Sequence, residues 1–162
     1  MAINKSKFWD EALETAPREV LEANQLKDLQ EIVKFAYDNS PYYKRSFDEA
    51  GVKPSDIKTL KDIEKFPFIN KKTQRDTQGV GSFLGELCAV PEDDVVFIST
   101  SSGSTGVPTI SPFTQKDFDE FQDTEARWFW QVGVRPNDRY VHALNFSLYV
   151  GGPDVIGAQR TG

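Results

Sequence analysis

The apolar positions of this chain fall into blocks of different period. Phe8, Trp9, Ala12 and Leu13 recur at helical spacing, so residues 6–16 are expected to form a short helix with Ser6 as its N-cap. Pro17 suits the first turn of a second helix over about 17–38. Leu26, Leu29, Ile32, Val33 and Ala36 give that helix an apolar stripe, and Lys27, Glu31 and Lys34 stay outside it. The run "NSPYY" interrupts the pattern. A third helix over about 41–50 then ends at Gly51, a residue suited to a left-handed helix end.

Between 52 and 78 the pattern is polar and punctuated. Thr59 with Asp62 predicts a capped short helix around 60–65, which Pro67 stops. Asn70 predicts the cap of a further turn over 71–77. The glycine-rich run "GVGSFLGELCAV" follows, with a strand expected near 87–90. Val95 to Ser99 is β-branched and aromatic, a strand signal, and Thr109 to Ser111 is its expected return. Thr114 with Asp117 opens an aromatic helix over about 115–131, which Gly133 closes. A turn at 135–138, a strand over 139–146, a loop, and the start of a helix at Asp154 complete the reading.

Strand, loop, helix, strand and an unfinished helix make half of an α/β layer. The fold class expected is therefore α/β, with a helical N-terminal segment (1–78) followed by an incomplete α/β portion (79–162). Both are read as parts of one larger domain, and the chain as the N-terminal fragment of a larger protein.

Charge narrows the function. The chain carries 19 Lys+Arg against 25 Asp+Glu, a formal net charge of −6. That argues against a general nucleic-acid or acidic-membrane surface, which needs a positive footprint. No secretory signal and no apolar run long enough for a membrane span is seen. Cys88 is the single cysteine, so no intrachain disulfide framework exists, and a reducing cytoplasm is the expected compartment.

The candidate chemistry lies in "STSSGSTGVPT", Ser99 to Thr109. It is no Walker A loop, because Val107 follows Gly106 where lysine is needed. It is no nucleophile elbow, because Gly103 and Gly106 stand three apart. His142 is the only histidine, so a histidine-based triad has little to draw on, and a packed role is expected for it. Gly103 and Gly106 can adopt positive φ and let a ligand approach the backbone. Successive N–H groups then form an anion nest, to which Ser101, Ser102, Ser104 and Thr105 add hydroxyl donors. The combination suits phosphate oxygens; a solvated linker is the alternative.

"TSSGSTGVPT" resembles the phosphate-loop signature of adenylate-forming enzymes, the acyl-CoA synthetase superfamily. Within it the chain most resembles the phenylacetate–CoA ligase branch, which includes coenzyme F390 synthetase-like proteins. "FAYDNSPYYKRSFDEAGVKPSDI", "LKDIEKFPFINKKTQRD" and "NFSLYVGGPDVIGAQRTG" resemble further blocks of that branch, in order, from about residue 8 to 162.

The resemblance implies ATP, Mg2+ and coenzyme A as cofactors and a small-molecule carboxylic acid, by family default an aromatic one, as substrate. The acid would attack the α-phosphorus of ATP to give an acyl-adenylate, which coenzyme A converts to a thioester. Ser101, Ser102, Gly103, Ser104, Thr105 and Gly106 would grip the ATP phosphates, with Thr105 nearest the metal–phosphate cluster. Phe146, Tyr149, Gly151 and Gly152 would line the acyl pocket; ordinary core packing is the alternative for the two aromatics. Many superfamily members have lysine where Val107 stands, so no catalytic lysine is imported into this loop. The family's ribose-binding acid, metal-binding acid, hinge and C-terminal lysine fall later than position 162. Residues 1–162 alone are therefore expected to be inactive, with catalytic residues beyond them. Two rival readings stay open: a non-catalytic remnant or interaction module with the ligase fold, and an F390 synthetase-like adenylyl transferase. An incomplete sheet exposes an edge and an apolar face, which favours self-association, a homodimer included.

Overall fold

A single helical turn, α1 (Glu11–Glu14), opens the computed structural model, which describes residues 6–101, 106–149 and 151–162. The longer helix expected over 6–16 does not form. Asp10, not Ser6, is the N-cap, and its carboxylate accepts the Leu13 N–H at 3.0 Å. The Ser6 hydroxyl instead accepts the N–H of Phe8 at 3.1 Å, a local turn that competes with helix. The chain divides into two compact units: one joins the residues up to Thr15 with Val95–Gly162, and the other is Ala16–Asp94.

The second of these units is helical. It contains α2 (Arg18–Asn39), α3 (Pro41–Ala50) and α4 (Lys71–Thr77), with 3-10 turns at Pro54–Asp56, Leu60–Lys65 and Glu92–Asp94. Its core is Val33, Phe47, Ile57 and Phe66, flanked by Leu26, Leu29, Tyr37, Tyr43, Val52 and Ile63. Ile32, expected in the apolar stripe of α2, is exposed. Ser40 separates α2 from α3 by capping α3 through the Tyr43 N–H, and Gly51 ends α3 at φ 69°. Thr59 with Asp62 caps the Leu60–Lys65 turn as a capping box, and Asn70 caps α4.

No strand forms at 87–90. The backbone there is used in turns: Cys88 N–H donates to the Gly85 carbonyl at 3.2 Å, and the Glu86 carbonyl accepts the Ser40 hydroxyl at 2.8 Å and the Tyr42 N–H at 3.1 Å. Gly85, at φ 82°, sits where a Cβ would stand 2.4 Å from the Thr77 carbonyl oxygen, so only glycine fits this return of the chain.

In the other unit, β1 (Val95–Thr100) and β2 (Ile110–Thr114) pair antiparallel, with an irregularity between Val95 and Phe97. Pro112 lies in β2, whose second edge needs no donor in the described two-stranded sheet. Thr114 and Asp117 form a capping box that starts α5 (Gln115–Gln131). Aromatic rings join this helix to the hairpin: Phe97 lies 5.2 Å from Phe118, and Phe113 lies 5.8 Å from Phe121. α6 (Asp154–Arg160) packs on α5 at Gly157, where a Cβ would stand 2.4 Å from the Cβ of Glu125.

The strand expected over 139–146 is absent. A strand exists by pairing, and the pairing found lies just beyond that range. An isolated parallel bridge joins Thr100 to Tyr149, with the Thr100 N–H donating to the Leu148 carbonyl at 2.6 Å. No helix among the described residues is long and apolar enough to cross a membrane.

Candidate functional site

The hydroxyl-rich loop leaves the end of β1 and returns into β2. Its described ends are locked together. Ser101 N–H donates to the Thr109 carbonyl at 3.0 Å, and Thr109 N–H donates back to the Ser101 hydroxyl oxygen at 3.0 Å. Ser99 and Thr109 are buried beneath this closure. The Ser101 backbone N–H is therefore spent inside the protein, and its hydroxyl oxygen is engaged as an acceptor.

Gly106 has φ 125°, a conformation that favours glycine, and open space lies where its Cβ would be. Ser102, Gly103, Ser104 and Thr105 lie outside the described residues. Val107 is 68% exposed, so its side chain projects away from any core. No group of three His, Cys, Asp or Glu suited to a metal forms among the described residues.

The parallel bridge between Thr100 and Tyr149 does the assembling. From this bridge the chain leads on one side to Ser101, the described start of the loop, and on the other toward the turn at Gly151-Gly152. Tyr149 is 43% exposed and Phe146 is 65% exposed; both present aromatic surface rather than filling a core. Gly152 turns the chain with its N–H on the Tyr149 carbonyl at 3.0 Å. A Cβ there would meet the Asn145 carbonyl oxygen at 2.9 Å. At Gly151 a Cβ would meet the Tyr149 ring at 2.7 Å and Leu144 at 3.2 Å. Gly152 is thus required by close approach to backbone, whereas a Cβ at Gly151 would push the Tyr149 ring and Leu144 aside, which places Leu144 beside the Tyr149 ring. Leu144 carries no motif that marks it in the sequence.

His142 also lies in this neighbourhood, its ring 4.7 Å from that of Phe146. Its Nδ1 is 3.0 Å from the Tyr140 hydroxyl, and its Nε2 is buried without a partner. Nearby, burial raises the Asp154 carboxyl above its ordinary value, partly opposed by His142. Burial raises Glu125 as well, with the Asp154 charge adding to it.

Comparison with known proteins gives a consistent result. No family model matches the chain. It is 40% identical over 151 residues to a phenylacetate-coenzyme A ligase of Escherichia coli (strain K12), which covers 93% of this chain and 33% of that protein. It is 38% identical over 151 residues to the phenylacetate-coenzyme A ligase of Pseudomonas putida, again covering 93% of this chain and 33% of the relative. Among solved structures, it is similar to 2-hydroxyisobutyryl-CoA ligase in the postadenylation state in complex with 2-HIB-AMP. The TM-score is 0.89 and the identity 30%, over 99% of this chain and 34% of that one. The same ligase with 2-HIB-AMP and CoA in the thioesterification state gives a TM-score of 0.90 at 31% identity. The chain is thus a homologue of phenylacetate–coenzyme A ligases that spans 33% of the length of those relatives, with the fold of the matching part of an adenylate-forming CoA ligase.

Proposed function

We propose that this chain supplies the phosphate-gripping loop and one wall of the acyl pocket of an ATP-dependent carboxylic acid–CoA ligase. Its parts would form one larger domain. The observation that supports the proposal is the Thr100–Tyr149 bridge, which pairs the residue just before the loop with a residue just before the Gly151-Gly152 turn. The named states of the solved neighbours, with 2-HIB-AMP and with CoA, support the same reading.

In the first step the acid's carboxylate attacks the α-phosphorus of ATP and pyrophosphate leaves. Charge then grows on the phosphoryl oxygens, and preorganised donors aimed there lower the barrier. Ser101 would act in two ways: its N–H and hydroxyl oxygen hold the loop closed, and its hydroxyl proton faces the phosphates. Ser102, Ser104 and Thr105 would add hydroxyls, and Gly103 and Gly106 backbone N–H groups. Mg2+, which the Thr105 hydroxyl would help to hold, would supply the positive charge that Val107 does not. Phe146, Tyr149 and Leu144 would set the aryl group of an aromatic acid against an apolar wall. The acyl-adenylate would then pass its acyl group to the sulfur of coenzyme A, with AMP leaving.

A cytoplasmic setting is supported by the single cysteine. The exposed Val96 and Leu148 favour pairing of two copies, a homodimer to be checked by sedimentation. Residues 1–162 alone should show no acid-dependent ATP–pyrophosphate exchange. A chimaera in which they replace the matching third of a phenylacetate–CoA ligase should show it. Exchange that persists undiminished in that chimaera after joint Ser104→Ala and Thr105→Ala substitution would sink the assignment of the loop.

A further inference from the structure

A second cleft in the same unit lies apart from the loop and shares no residue with it. It has a volume of about 630 Å3, within the range of small-molecule sites. Its wall includes Lys7, Trp9, Glu14, Arg127, Trp130 and Arg135. Three cations thus face one carboxylate, in a chain whose net charge is −6. Such a local reversal of sign attracts anions to one place.

The cleft is built rather than incidental. Trp9 and Trp130 lie with ring centroids 5.6 Å apart and planes at 59°. The Arg135 guanidinium stands 4.1 Å from the Trp130 ring. Its Nη1 donates to the carbonyls of Trp130 at 2.7 Å and Val134 at 2.8 Å, which fixes the cation in place. Arg127 Nε lies 3.4 Å from Glu14, whose carboxylate also accepts the Asp10 N–H at 3.0 Å. Trp130 is 2% exposed, yet its indole Nε1–H has no acceptor. A buried donor left open, beside cations and aromatic faces, asks for an anionic oxygen on a flat ligand.

We infer that this cleft binds a small aromatic anion, its ring against Trp9 and its oxygens toward Lys7, Arg127 and the open indole N–H of Trp130. The chemistry is shared by two sources, an aryl carboxylate and a nucleoside monophosphate. The inference does not depend on the ligase reading.

The test uses the 162-residue chain and its indole N–H signals in nitrogen–proton spectra, with that of Trp130 assigned from Trp130→Phe. Benzoate, AMP, acetate and benzyl alcohol are titrated separately. Saturable movement of the Trp130 signal with benzoate identifies a carboxylate site, and with AMP alone a phosphate site; either supports the inference. Lys7→Ala and Arg127→Gln should each weaken that binding about five-fold or more, while the Trp128 indole signal stays in place and reports an intact fold. Tyr149→Ala should leave it unchanged, which separates this cleft from the acyl wall. Movement with acetate or benzyl alcohol as strong as with the aromatic anions, no movement at all, or unchanged affinity in both cation variants overturns the inference.

Discussion

Ser101 and Thr109 clasp each other across the neck of the candidate phosphate loop by two hydrogen bonds of 3.0 Å, one from each backbone N–H. One of these uses the Ser101 side chain. Ser101→Ala therefore leaves the buried Thr109 N–H without an acceptor and should cost about 1–3 kcal/mol. Urea unfolding of the chain measures it. A cost near zero would show that water replaces the hydroxyl and that the clasp is not what shapes the loop.

Gly157 tests the contact between α5 and α6. In an isolated helix, Gly→Ala gains about 1 kcal/mol. Here the new Cβ would stand 2.4 Å from the Glu125 Cβ and 3.2 Å from the Ala126 nitrogen. The clash outweighs the propensity, and Gly157→Ala should destabilise the protein by about 1–3 kcal/mol. Thermal unfolding decides the sign.

Ser40 ties two segments that are distant in sequence. Its hydroxyl donates to the Glu86 carbonyl at 2.8 Å and accepts the Tyr43 N–H at 3.3 Å, in a fully buried position. Ser40→Ala should remove both the helix cap and the tether, at about 2 kcal/mol. Ser40→Thr, which keeps the hydroxyl, should recover part of it. Equal melting of the alanine variant and the unsubstituted chain would contradict this account.

Glu125 and Asp154 predict a pH effect. Burial raises both carboxyls above their ordinary values of 4.5 and 3.8. The folded state therefore holds protons that the unfolded state has released, and stability falls as pH rises through that window. Glu86 and Asp119 are lowered by their arginine and glutamine partners and act in the opposite sense, losing stability as pH falls. The two effects separate in a difference measurement. Glu125→Gln should be more stable than the unsubstituted chain at about pH 7, and the gap should close below about pH 4. A gap that is constant with pH would mean the carboxyl is not the cause.

Elements with a capping side chain at their start were legible in the sequence. α4 and α5 occupy the ranges that Asn70 and the Thr114–Asp117 pair predict. α1 was misread because apolar spacing at Phe8 and Trp9 mimics a helix, when these rings instead serve packing such as Trp9 on Trp130. The strand over 139–146 was misread because β-propensity states what a segment tolerates, and pairing depends on a partner elsewhere.

For the site, the ends of the loop were readable from residue type, while Gly151 and Gly152 were named only through the family resemblance. Their juxtaposition was not readable. It rests on one bridge between Thr100 and Tyr149, and nothing local to either residue encodes it. Leu144 and His142 entered the neighbourhood of the acyl wall for the same reason, through the turn rather than through any motif.

That bridge also bears on the order of folding. It closes a chain loop of roughly fifty residues, an entropic cost that a single backbone hydrogen bond does not offset. The β1–β2 hairpin and α5 are local and can form first; the edge at Tyr149 docks late and opens early. A ligand gripped by the loop and by the Tyr149 side together would act as a second tie across the same gap. Its binding free energy would be drawn partly into holding that edge shut, and exchange of the Thr100 amide hydrogen with solvent would slow as the ligand saturates.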